Sequence, residues 1–126
     1  MNSVRIGWVE IPVENMGRAI KFYEKVFDCQ LDFQDLGEFK MALFPFEGGG
    51  EGFSCSLVYH KEFYTPSSDM GSLIYFFTED CEKELSRVEE AGGKVMISKR
   101  QINPEMGYMG VFLDSEGNRI GIRSKA

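Results

Sequence analysis

The chain is poor in the residues from which most metal and redox sites are made: 126 residues contain one histidine and three cysteines. The cysteines, Cys29, Cys55 and Cys81, are widely spaced and odd in number. No CxxC pair occurs, which excludes a zinc knuckle and a dithiol redox motif and leaves packing thiols in a reducing compartment. Basic clusters are absent, and the net charge is −6. That balance speaks against nucleic acid and against an anionic membrane surface as partners. No apolar run reaches the length of a membrane span, and the opening Met1-Asn2-Ser3-Val4-Arg5 lacks the apolar core of a secretory signal. The expectation is a cytoplasmic protein with no nucleic-acid and no membrane partner.

What the chain does contain is enough apolar material for one core. Hydrophobic residues make up 43% of it, and 11 phenylalanines dominate the aromatics. A length of 126 residues fits one domain over 1–126. Phenylalanines fill cores more often than they line ligand cavities.

The order of patterns repeats. Alternation around Val9, Ile11 and Val13 predicts a strand, and Asn15 can cap the helix that Ala19, Phe22, Tyr23, Val26 and Phe27 mark by their spacing. Strands are expected at 30–33, 39–44 and 53–59. Gly48-Gly49-Gly50 reads as a loop at a cavity mouth or a hairpin connection; it lacks the Lys-Ser/Thr continuation of a phosphate loop. After the polar stretch 64–69 the order begins again. A strand is expected over 72–77, and Asp80 caps a helix with Leu85, Val88 and Ala91 on its inner stripe, ending at Gly92-Gly93. Strands follow at 94–97, 107–113 and 119–123. In the turn before the last strand, Gly117 and Asn118 are expected to take the left-handed backbone.

Strand, helix and three strands, given twice at a distance of roughly 65 residues, predict an α+β fold of two βαβββ modules, about 4–62 and 71–124. Each module should form a mostly antiparallel four-stranded sheet, curved, with one helix on its outer face and a cavity on the other. Parity assigns Val9, Ile11, Val13, Cys55, Ile74, Phe76, Ile120 and Ile122 to the helix side. Trp8, Glu10, Pro12, Leu73, Tyr75, Phe77, Arg119, Gly121 and Arg123 fall on the cavity side.

The run Val9-Glu10-Ile11-Pro12-Val13 leading to Ala19-Ile20-Lys21-Phe22-Tyr23 resembles the vicinal oxygen chelate superfamily of glyoxalases, bleomycin resistance proteins and dioxygenases. Ala91-Gly92-Gly93-Lys94-Val95 and the turn 114–122 extend the resemblance over nearly the whole chain. It implies paired βαβββ modules, frequent homodimers and, in many members, a divalent metal held by His and Glu. The ligand positions the resemblance implies fall here at Trp8, near Ser56, at Leu73 (or Ile74) and at Gly121. Trp, Leu and Gly offer no side-chain lone pair to a divalent cation, and Ser is a poor replacement. His60 and Glu10 stand on different strands without a third donor. The expectation is therefore no metal and no cofactor.

Two functional readings follow. In the favoured one, a metal-free, homodimeric member binds a small organic molecule through Trp8, Glu10, Ser56, Tyr75, Phe77, Arg119 and Arg123. Trp8, Tyr75 and Phe77 would form an aromatic platform, and Arg119 and Arg123 would receive an anionic group; Trp8 could equally plug the cavity. In the alternative, the chain is a metal-dependent lyase, isomerase or dioxygenase, disfavoured by Trp8, Leu73 and Gly121. Catalytic residues are unknown. The weak candidate is Glu10, a general base if desolvated among Trp8, Tyr75 and Phe77, or merely the partner of Arg119 or Arg123. A structural protein with a filled cavity is a third possibility.

Overall fold

A computed structural model describes residues 3–4, 6–47 and 54–126. The elements run β1 (Trp8–Pro12), α1 (Met16–Phe27), β2 (Asp32–Leu36), β3 (Phe39–Leu43), β4 (Ser54–Tyr59), β5 (Tyr75–Thr78), α2 (Cys81–Ala91), β6 (Lys94–Asn103), β7 (Gly107–Leu113) and β8 (Arg119–Ser124). They form two sheets with strand orders β1-β4-β3-β2 and β5-β8-β7-β6. In each sheet the first and last strands of the module pair in parallel and the remaining pairs are antiparallel. The architecture is the expected α+β arrangement of two βαβββ modules.

Both helices start where their caps sit. Asn15 accepts from the Arg18 amide and Asp80 from the Glu82 amide. At twelve residues α1 is too short to persist alone in water, so packing must hold it. Its Ala19, Phe22, Tyr23 and Val26 are fully buried, and burying each large apolar side chain contributes about 1.5–3 kcal/mol. The core they enter also contains Leu57, Leu85, Val88, Phe112 and Ile122, so both modules share it. Phe22 approaches Phe112 of β7 at 5.9 Å, and the Arg87 guanidinium of α2 donates to the Val26 carbonyl of α1.

Several boundaries differ from expectation. β2 begins at Asp32 because the chain is tied to the end of α1 until then: Cys29 N–H donates to the Glu24 carbonyl, and Leu31 N–H to the Glu24 carboxylate. β5 begins at Tyr75, and Leu73 precedes it outside the ladder. β6 runs to Asn103, six residues beyond Ile97, because register shifts along its pairing with β7 absorb the break in alternation. The triple glycine and Phe53 lie outside the described residues.

The turn 114–118 also differs. Gly117 alone takes the left-handed backbone, at φ +86°. Asn118 acts through its side chain, donating to the Pro12 carbonyl and to Asp114 and accepting from the Ser67 amide. Glu116 accepts from the amides of Glu14 and Asn15 at 2.9 and 2.7 Å, and from the Arg18 guanidinium at 2.7 Å. Asp114 accepts from the Tyr23 hydroxyl at 2.6 Å. The turn of the second module is thus the clasp that holds the first.

Candidate binding site on the concave faces

Parity holds on the strands that matter. Ile11, Leu57, Ile120 and Ile122 enter the helix-side core. Trp8, Glu10, Ser56, Tyr75, Phe77, Arg119, Gly121 and Arg123 therefore share the opposite, concave side.

On the first sheet this side is covered at Ser56 and Val58 of β4, while Trp8 and Glu10 of β1 stay exposed. Glu10 stands opposite Ser56 across the parallel β1–β4 pair, and Pro12 opposite Val58. Ser56 and Val58 are fully buried. The cover comes from the connection between modules. The Tyr64 hydroxyl donates to the Glu10 carboxylate on β1 at 2.5 Å, while its ring meets Phe39 of β3 edge-on. Since β4 lies between β1 and β3, Tyr64 reaches across it. The hydrogen bond to Glu10 pushes the Tyr64 phenol above its ordinary range. The Ser56 hydroxyl makes no hydrogen bond under this cover.

On the second sheet one ring divides the surface. Tyr75 stands opposite Gly121 across β5–β8. A β-carbon built on Gly121 would lie 2.5 Å from Cδ2 of Tyr75, so the aromatic ring occupies the space any side chain at 121 would need. Arg119 and Arg123 lie on either side of this contact along β8, about 13 Å apart at the usual rise per residue. They consequently line different cavities. Arg119 joins Trp8, Glu10 and Met70 in a cavity of about 390 Å³ at the seam between β1 and the start of β8. Arg123 joins Tyr75, Arg100, Ile102, Met106 and Met109 in an open groove of about 660 Å³.

The expected constellation is thus split. Trp8, Glu10 and Arg119 come together at the seam; Tyr75 and Arg123 belong to the groove. Ser56 lines neither. Phe77 is exposed and lies under the Arg123 guanidinium, 5.6 Å from its ring centroid. No three-ring platform of Trp8, Tyr75 and Phe77 forms, and Glu10 pairs with Tyr64 instead of an arginine or a desolvating aromatic wall. Arg100 was not anticipated from sequence. The signal lay in its place opposite Met109, itself opposite Arg123, and the irregular pairing of β6 hid it.

The metal positions can be tested against this geometry. Trp8 and Leu73 carry no donor, Ser56 is sealed under the first sheet's cover, and the volume at Gly121 is filled by Tyr75. His60 is enclosed by Phe39 and Phe63, its Nδ1 accepting from the Glu62 amide. Among the described residues no three His, Cys, Asp or Glu side chains converge. These residues do not fit the divalent metal of the resemblance. The cysteines do not present an activated thiolate either: burial pushes the Cys55 thiol up to about 12, partial burial and then the Glu24 and Asp28 carboxylates raise Cys29, and Cys81 is buried at the start of α2.

Two four-stranded βαβββ modules sharing a core, with cavities on their concave sides, define a class. The chain belongs to the Glyoxalase/Bleomycin resistance protein/Dioxygenase superfamily, whose family model matches residues 5–122. A glyoxylase-like domain-containing protein of Didymella fabae is 27% identical over 119 residues, covering 94% of this chain and 91% of that protein. Among solved structures, a glyoxylase/bleomycin resistance protein/dioxygenase domain from Frankia sp. superposes with a TM-score of 0.73 at 15% identity, covering 98% of each chain. TnmS3, an antibiotic binding protein from a Streptomyces species, gives 0.67 at 23%, covering 100% of this chain and 99% of that one. Glyoxalase I from Zea mays gives 0.69 at 19%, covering 94% of this chain, which spans only 45% of the maize protein. At these identities the likeness of the solved structures is one of fold. No helix among the described residues is long and apolar enough to cross a membrane.

Proposed function

We propose that this chain is a metal-independent binding protein that holds a small organic molecule on its concave surface. The observation that carries the reading is the Tyr75 ring seated on Gly121. It fills the space of a ligand carboxylate with an apolar surface, and with Trp8 and Leu73 it leaves three of the four metal positions without a donor, the fourth being the buried Ser56 hydroxyl. What remains on the concave side is a groove with an aromatic and thioether lining and a few polar groups, the usual make-up of a small-molecule site. The antibiotic-binding relative with the same fold supports the same class of activity. A cytosolic, homodimeric protein belongs to this proposal, and a monomeric mass by light scattering would remove the dimer from it.

The test is a fluorescence titration with two naphthalene dyes in the presence of EDTA: neutral N-phenyl-1-naphthylamine and anionic 8-anilinonaphthalene-1-sulfonate. Saturable, one-to-one enhancement with either dye on the folded protein is expected. Absence of saturation with both would reject the reading.

A further inference from the structure

We infer that the groove on the second sheet selects organic anions, with Arg100 and Arg123 as the pair that receives the negative group. The inference rests on the binding reading above and names the ligand class of that site.

Register places the pair. Arg100 of β6 stands opposite Met109 of β7, Met109 opposite Arg123 of β8, and Arg123 opposite Phe77 of β5. Cross-strand partners share a face, so these four side chains form one row across the whole sheet. The two arginine backbones are two strand spacings apart, about 10 Å, with Met109 between them. Met109 is buried to 8% exposure and forms a floor; Ile102, Met106 and Tyr75 complete the apolar lining. Arg100 and Arg123 thus line the apolar groove from strands on either side of Met109.

The charges are uncompensated. Among the described residues the groove's lining contains no carboxylate. Among the described residues neither arginine belongs to an ion pair, although the chain as a whole carries an excess of acids. Two like charges facing one trough, without a counter-charge, create a local positive potential that an anion relieves. One of them is already fixed. Nε and Nη2 of Arg123 donate to the Met106 carbonyl at 3.3 and 3.2 Å, and the Met106 amide donates to Asn103 Oδ1 at 2.6 Å. These bonds leave Nη1 for a ligand and hold the guanidinium plane, so little side-chain freedom is lost on binding. Arg100 supplies the movable second arm. Guanidinium groups suit carboxylate, sulfonate and phosphate oxygens because their donors lie in a planar fork. The seam cavity lacks this character, since Glu10 shares it with Arg119.

The same two dyes separate this inference from the reading beneath it. The anionic dye is expected to bind at least tenfold more tightly than the neutral one, and raising the salt from low to molar concentration should weaken only the anion. Arg100→Gln, which breaks no hydrogen bond or ion pair among the described residues, should cost the anion about tenfold and leave the neutral dye unchanged. Arg123→Gln should do the same if its melting temperature shows an intact fold, and Lys83→Gln on the helix side should alter neither dye. Saturable binding with equal affinity for the two dyes, or equal losses of both in Arg100→Gln, would overturn the anion preference and leave the binding reading standing. If neither dye saturates, both fall.

Discussion

Glu10 opposite Ser56 in the first module and Tyr75 opposite Gly121 in the second occupy the same place in the repeat, roughly 65 residues apart in both strands. Their surroundings have diverged. In the first module only one member of the pair is covered: Ser56, with Val58, is shut from water beneath the intermodule connection, while Glu10 bonds to Tyr64 and stays exposed. In the second, Tyr75 covers only its glycine, and the place equivalent to Val58 is held by Arg123, facing an open groove. The same backbone therefore supports a partly covered surface in one half and an open groove in the other. The contents of two or three inward positions decide which.

The comparison can be broken most severely at the clasp that keeps the halves in register. Glu116→Ala leaves the Glu14 and Asn15 amides without their acceptor, and each orphaned donor costs about 1–3 kcal/mol. Arg18 is half exposed and adds little. A loss of about 2 kcal/mol or more by urea unfolding is expected; an unchanged midpoint would show that the clasp carries no load.

At the Tyr75–Gly121 contact the expected cost is smaller and conditional. Gly121→Ala should destabilise by about 1–3 kcal/mol through overpacking against the ring. In a Tyr75→Ala background the same substitution should cost almost nothing, giving a coupling energy in a double-mutant cycle. Additive effects would mean that the ring is free to move aside.

The pH dependence of the clasp has a definite sign. Burial works against ionisation of Glu116, but the bonds from Arg18, Asn15, Ser115 and Glu14 prevail and hold its carboxyl below the ordinary 4.5. Its contribution is therefore complete above that value and is lost as pH falls through the depressed one. Asp114 has the opposite sign: burial, against its hydrogen bonds, raises it above the ordinary 3.8, so its contribution falls as pH rises through the raised value. Between pH 6 and 3, the urea midpoint of the native chain should fall relative to that of Glu116→Gln, which lacks the ionisable carboxyl.

The smallest effect is expected at the cover of the first sheet. Tyr64→Phe keeps the ring over β4 and removes only the bond to Glu10, worth about 0.5–1.5 kcal/mol and less for so exposed a pair. Calorimetry should show a shift of at most a few degrees. Tyr64→Ala should in addition open Val58 and Ser56 to solvent, read as a higher heat capacity of the folded state.

How much of this was legible in the sequence follows from the range of each interaction. Helix caps and strand parity depend on neighbours a few positions away, so Asn15, Asp80 and the two faces of β1 and β8 could be read directly. The site depended on distant partners. Nothing local to Glu10 announces Tyr64, and nothing local to Asn118 announces the Pro12 carbonyl. Arg119 and Arg123 share a face by parity, yet a ring from another strand separates them. Gly121 reads from sequence as a ligand position without a donor, while the Tyr75 ring beside it comes from another strand.

Tyr75 seated on Gly121, with Trp8 and Leu73, leaves an apolar surface at three positions where the family resemblance implies metal ligands. The most direct measurement is a thermal-shift titration of EDTA-treated protein against zinc, nickel, manganese and ferrous iron. A metal held by the native state would raise the melting temperature in a concentration-dependent way. No saturable rise is expected with any of the four. A saturable rise of several degrees with one of them, at near-stoichiometric metal, would contradict it.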